Sequence, residues 1–168
     1  MGAGKVFAII GGILGALSVL LYYAAPEIFC LWRLNAPLVP LKLYFGGFGA
    51  NSGELGAIPF PPEYSGDIIL MIVGVLIISG SVLAFIAGIA ESKKIGILGG
   101  IILLAGPILL LVEIIANLGI FGTIAATWLP GESLLFGSIF GAGDWGIYIG
   151  SYLAIGGGLL GLIGGATI

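Results

Sequence analysis

Few residues in this chain are of a type that does chemistry, and most of them stand alone. The sequence has no His and a single Cys, Cys30. The usual nucleophile, general base and soft metal ligands are therefore reduced to one thiol. With no His and no second Cys, nucleophilic catalysis at Cys30 is poorly supported and no intrachain disulfide can form. In a cluster with Trp32 and Arg33 just after the first apolar run, Cys30 reads as a reactive thiol if exposed and as a small apolar group if buried. The carboxylates are scattered singly along the chain, which disfavours a divalent metal site. Gly2-Ala3-Gly4-Lys5 has neither the preceding strand nor the following Ser or Thr of a phosphate loop. The same stretch offers no acylation signal, because Val6 stands where a myristoylation pattern needs Ser or Thr. No basic patch is present for nucleic acid. The expectation is a protein that is not an enzyme, with no cofactor, no metal and no nucleic-acid partner.

Glu113 is the exception to this blandness. It is the one ionisable residue well inside an apolar run, where a carboxyl group is costly and marks a polar site. Asn117 follows at i+4, on the same helical face, and is expected to share its hydrogen bonds. A structural role for the pair is favoured over ion or proton handling, because a relay needs several such groups. Pro107, in the middle of the same run, removes a helix hydrogen bond and is expected to kink it.

The elements that must hold these residues follow from composition. The chain is 60% hydrophobic and 8% charged over 168 residues, with a mean hydropathy of +1.27. So little polar surface cannot cover a water-soluble globule, and a lipid bilayer is the expected partner. Four runs approach the roughly 20 residues that a membrane helix needs, at about 6–25, 68–90, 95–118 and 145–168. The first is longer than the roughly 7–15-residue apolar core of a secretory signal, so it reads as a helix of the mature protein. The scarcity of Asn and the absence of Gln suit a hot habitat.

Basic residues orient the spans. Lys5 precedes the first, and Lys93 and Lys94 fill the tight turn between the second and third. Acidic residues Glu27, Glu54, Glu63, Asp67, Glu132 and Asp144 gather on the other side, with Arg33 and Lys42 in a long loop. The positive-inside rule then puts both termini in the cytoplasm of a multi-pass cell-membrane protein. Two outer loops remain, 26–67 and 119–144. In the first, Pro26, Pro37, Pro40, Pro59, Pro61 and Pro62 exclude a continuous helix. Residues 38–45 and 55–60 read as extended pieces around the glycine-rich 46–53 stretch, forming a hairpin or short sheet over the helix ends. The aromatic residues Phe29, Trp32, Tyr44, Phe45, Phe48, Phe60 and Tyr64 suit a membrane interface. In the second loop, 119–129 is read as an extension of the third span and Ser133 to Phe140 as a short apolar turn.

Glycine spacing is the clearest motif. Gly146, Gly150, Ala154 and Gly158 form one i, i+4 row in the fourth run, and Gly157, Gly161 and Gly165 form a second. Gly11 and Gly15, Gly80, Ala84 and Gly88, and Gly96 and Gly100 repeat the pattern in the other runs. Small residues at this spacing let helix backbones approach closely. The two rows of the fourth run serve either the internal bundle or, in part, a neighbour outside the chain.

Four spans, a long first outer loop with strand-like pieces and a shorter second one together resemble the claudin and PMP22 type of tetraspan protein. The family's loop signature has tryptophans and a pair of cysteines; here Trp32 and Cys30 stand in reversed order, with no second Cys. The resemblance implies lateral self-association in the membrane, with the outer loops in contact. The sequence is thus read as one domain, an all-α four-transmembrane-helix bundle with a small extracellular cap. Its expected role is non-catalytic packing into an oligomer or larger membrane assembly. The alternatives are an accessory subunit that stabilises a larger membrane enzyme or respiratory complex, and a minimal channel or transporter using Glu113.

Overall fold

An apolar run with at most one charge has nothing to gain from exposing its backbone, and each of the four runs folds largely as a long helix. The computed structural model describes residues 2–36, 41–49, 51–55, 58–59, 67–139 and 143–168. The long helices are α1 (Ala3–Leu20), α3 (Ile68–Ala90), α4 (Lys93–Ile115) and α6 (Ile149–Thr167). All four, α1 with its following 3-10 turn Leu21–Tyr23, are long and apolar enough to cross a membrane. Between them lie two short helices, α2 (Pro26–Phe29) and α5 (Gly119–Thr127). The helix ends follow local chemistry. The Asp67 side chain accepts from the Ile69 and Leu70 amides and so caps α3. Glu91, in the left-handed region at φ 56°, closes that helix and turns the chain into α4. Helix α4 runs on through Pro107, which is buried.

The long helices form a ring of neighbours in which α1 and α4 each pack against both α3 and α6. At the end where α1 and α4 finish and α3 and α6 begin, the two connecting segments join in one antiparallel sheet of six strands. The strands are β1 (Trp32–Ala36), β2 (Leu41–Phe45), β3 (Asn51–Leu55), β4 (Ile58–Pro59), β5 (Phe136–Ile139) and β6 (Gly143–Ile147). Their spatial order is β4-β3-β2-β1-β6-β5, so β1 sits between a strand of its own loop and one of the other. Register sets the faces. Trp32 lies opposite both Phe45 and Ile147, and Leu34 opposite both Leu43 and Trp145. All six are buried, whereas the intervening Lys42 is exposed.

The sheet therefore does more than cap the helices: its buried face shares one core with their ends. Trp32, Leu43 and Phe45 pack with Val73 and Ile77 of α3, Leu110 and Ile114 of α4, and Phe121 and Ile124 of α5. Trp32, Phe45 and Phe121 form an aromatic triad with ring centroids 5.3–5.7 Å apart. Each such pair is worth about 0.5–1.5 kcal/mol beyond the area it buries. The glycine-rich turn after β2 is seated between α1 and α3. A methyl on Gly47 would lie 2.9 Å from Val19 and 3.1 Å from the backbone of Gly74.

Several expectations change here. The sheet takes strands from both loops, so the chain is mostly helical with a six-stranded sheet and is not all-α. The fourth helix begins at Ile149, because Trp145 and Ile147 pair with β1. Gly146 therefore lies in a strand, at φ 144°, and belongs to no helical row. Ser133 to Phe140 is not simply a turn, since Phe136–Ile139 pairs with β6. Residues Gly119–Thr127 form a separate helix, because Asn117 and Gly119 both take positive φ and break the extension. Trp32 and Phe45 are fully buried, so they serve the core and not an interface. Of the residues singled out above, Pro37, Pro40, Phe60, Pro61, Pro62, Glu63, Tyr64 and Phe140 lie outside the described residues.

Candidate functional site

Glu113 faces inward from the last turn of α4 and is fully buried. Neither of its carboxyl oxygens has a hydrogen-bond partner. Asn117 does not supply one. The helix ends at Ile115, Asn117 turns out at φ 51° and is exposed, and the expected i, i+4 pair never forms. Asn is among the few residues that adopt the left-handed region at low cost, which explains its place in this turn.

The group that approaches Glu113 is Asp67, which reads in the sequence as one more outer acid. Its signal was available, since an Asp immediately before an apolar run is a helix cap. Asp67 Oδ1 accepts from Ile69 N at 2.8 Å and Leu70 N at 3.2 Å. Its Oδ2 accepts from Ile120 N at 2.9 Å, in the first turn of α5. One carboxylate thus ties two helix starts together, where the backbone dipoles suit a negative charge. Gly119 borders both acids. A methyl built there would lie 2.8 Å from Glu113 Oε1 and in steric conflict with Asp67 Oδ2, so only glycine lets the carboxyl groups close on this point.

The other candidates are structural in their surroundings. Cys30 is buried, and burial pushes its thiol up to about 12. Arg33 crosses from β1 to β6, donating from Nη2 to Asp144 Oδ2 at 2.6 Å and from Nη1 to the Tyr148 hydroxyl at 2.6 Å. Its guanidinium also lies 3.9 Å from the Tyr148 ring centroid. Trp32 Nε1 donates to Leu134 O at 2.7 Å, a second bond between the two loops. An open cleft of about 450 Å3, lined by Pro26, Glu27, Lys42, Tyr44, Ser52 and Gly53, lies on the sheet's polar side.

The small-residue rows meet neighbours within the chain. In α6, a methyl on Gly157 would lie 2.7 Å from Gly11 O and from Gly15 N of α1. Gly165 abuts Gly96, and Gly158 abuts Leu104, both of α4. Gly161 faces Ala84 and Gly100, while Gly150 lies against the carbonyls of Phe29 and Cys30. Ala154 is fully buried. Elsewhere Gly80 meets Leu103, Gly88 meets Ile9, and Gly15 meets Ser81 and Leu103. Both small rows of α6 are thus occupied within the chain, chiefly by α4 and, at Gly157, by α1.

Neither the protein-family models nor the curated proteins include a match to this chain.

Proposed function

We propose that this chain is a non-catalytic integral membrane protein that associates laterally, through the edge of its sheet, into an oligomer. The bilayer covers the outward faces of α1, α3, α4 and α6, where Ile13, Val75, Ile101 and Leu159 are exposed. The end bearing Lys5, Lys93 and Lys94 lies in the cytoplasm, and the sheet lies outside. Because the glycine rows are occupied internally, the support for association comes from another place.

The observation that carries the reading is the state of the sheet's two edges. Natural sheets guard free edges with charge, proline or bulges. The β4 edge is two residues long and ends in Pro59, which has no amide hydrogen for an added strand. Among the described residues the β5 edge is unguarded. Residues 134–140 contain neither charge nor proline, and Phe136 is 57% exposed. With one edge blocked, strands of two copies pair β5 to β5 about a two-fold axis, which closes as a dimer. A two-fold axis along the membrane normal keeps both copies in the same orientation.

Native mass in mild detergent tests this. The wild type is expected at twice the 17.0 kDa chain mass or a multiple of it. Phe136→Lys with Ser138→Lys, which charges the edge, is expected to give a folded single chain. A wild type of one chain, or a double variant of unchanged mass, overturns the reading. Stoichiometric larger proteins copurifying with the wild type would favour the accessory-subunit alternative.

A further inference from the structure

We infer that Asp67 and Glu113 form a site for one proton, and that this proton fastens the adjoining ends of α3, α4 and α5. The inference rests on counting acceptor positions. A carboxylate offers about four lone-pair positions, two on each oxygen. The Ile69 and Leu70 amides fill both positions on Asp67 Oδ1, and the Ile120 amide fills one on Oδ2. One position remains, on the oxygen that borders Gly119. Glu113 borders the same glycine with Oε1, is fully buried, and has both oxygens without a partner. One vacant acceptor position facing one unpartnered carboxyl group is what a single O–H donor completes.

Two bare carboxylates meeting in a buried site repel strongly. A proton between them replaces that repulsion with a short, charge-assisted O–H···O bond. Asp67, with three amide donors and two helix starts, is the acceptor; Glu113, with no other donor, carries the hydrogen. A metal ion suits the site less well. Calcium takes 6–8 oxygen ligands and magnesium about six, while Asp67 has one position left. No cluster of three metal-binding side chains occurs among the described residues. Asp67 is also the only charged group among them that acts on Glu113, since α5 offers the site only backbone.

The site is placed to matter beyond its own bond. Asp67 holds the start of α5, and α5 carries Phe121 into the aromatic triad with Trp32 and Phe45. Loss of the proton sets two anions against each other under that triad and loosens the seat of the sheet. The neighbouring Asn117, Leu118 and Gly119 are exposed, which gives the proton a short route to water at the sheet end.

Thermal melts of the full chain in detergent test the inference. The wild type is expected to lose Tm steadily from about pH 5 upward, by about 2–4 °C or more in all, because above the ordinary carboxyl range only the folded protein holds the proton. Glu113→Gln retains an N–H donor for Asp67 but has no proton to lose. Its Tm is expected to match the wild type at the lower pH and to stay level as the pH rises. Infrared spectroscopy gives a second reading that does not depend on stability. A protonated-carboxyl band is expected in the wild type at neutral pH and is expected to be missing in Glu113→Gln. A level wild-type profile, an equal loss in Glu113→Gln, or no such band overturns the inference. So does restoration of the alkaline Tm by added sodium or calcium chloride, which would make this a metal site.

Discussion

Cys30 illustrates how burial decides what a side chain can do. Thiols react as thiolates, and this one is enclosed, with its thiol pushed up to about 12 by that enclosure. A maleimide is therefore expected to leave Cys30 unmodified in the folded protein and to label it fully in denaturant. Mass spectrometry after each treatment reads the outcome, and labelling of the native protein would show that the segment after α1 opens. Glu113 was legible from sequence because an acid inside an apolar run stands out against its surroundings. Its partner was not. Asp67 lies 46 positions away in sequence, and only the folded turn between α4 and α5 brings both acids against Gly119. Asn117 was drawn in by helical spacing, which ceased to apply two residues before it, at Ile115.

Among elements, α6 carries the most specific packing argument. Gly156 and Gly157 are adjacent, yet a methyl on Gly156 meets nothing within 4 Å, whereas one on Gly157 meets α1 backbone at 2.7 Å. Side chains in lipid gain no hydrophobic energy by leaving it, so helix association depends on close van der Waals packing. Gly157→Leu must force α1 and α6 apart and is expected to cost about 3 kcal/mol or more, at the upper end of overpacking. Gly156→Leu is expected to be neutral or slightly stabilising, since Leu is the better helix former. Melts of the two variants in one detergent compare them directly, and equal stabilities would refute the assigned α1–α6 contact. The long helices were legible because an apolar run of about 20 residues with at most one charge permits little else. The strands β1, β5 and β6 were not. Each has four or five residues; β1 and β6 pair across loops more than 100 residues apart, and β5 is a strand by pairing with β6. Trp145 and Ile147 are as apolar as the helix that follows, so composition alone drew the fourth span too early.

For the molecule as a whole, the proposed orientation rests on the distribution of charge, which the fold concentrates at two ends. Lys5 pairs with Glu91, which joins the start of α1 to the turn between α3 and α4, and Lys93 and Lys94 remain exposed at that same end. At the sheet end, Arg33 is engaged by Asp144 and stacked on Tyr148, which leaves Lys42 as the exposed base among the described residues there. The free positive charge therefore favours the end away from the sheet, which is the basis for proposing that this end lies in the cytoplasm. Because Cys30 is buried, replacing it with Ser gives a background for cysteines introduced elsewhere. In that background Lys42→Cys is expected to react with a membrane-impermeant maleimide in intact cells. Lys93→Cys is expected to react only after permeabilisation. The reverse pattern would put the sheet in the cytoplasm and send its uncharged β5 edge to cytoplasmic partners. Agreement would leave that edge facing the outside, where it can meet only a neighbour in the same membrane or one opposite.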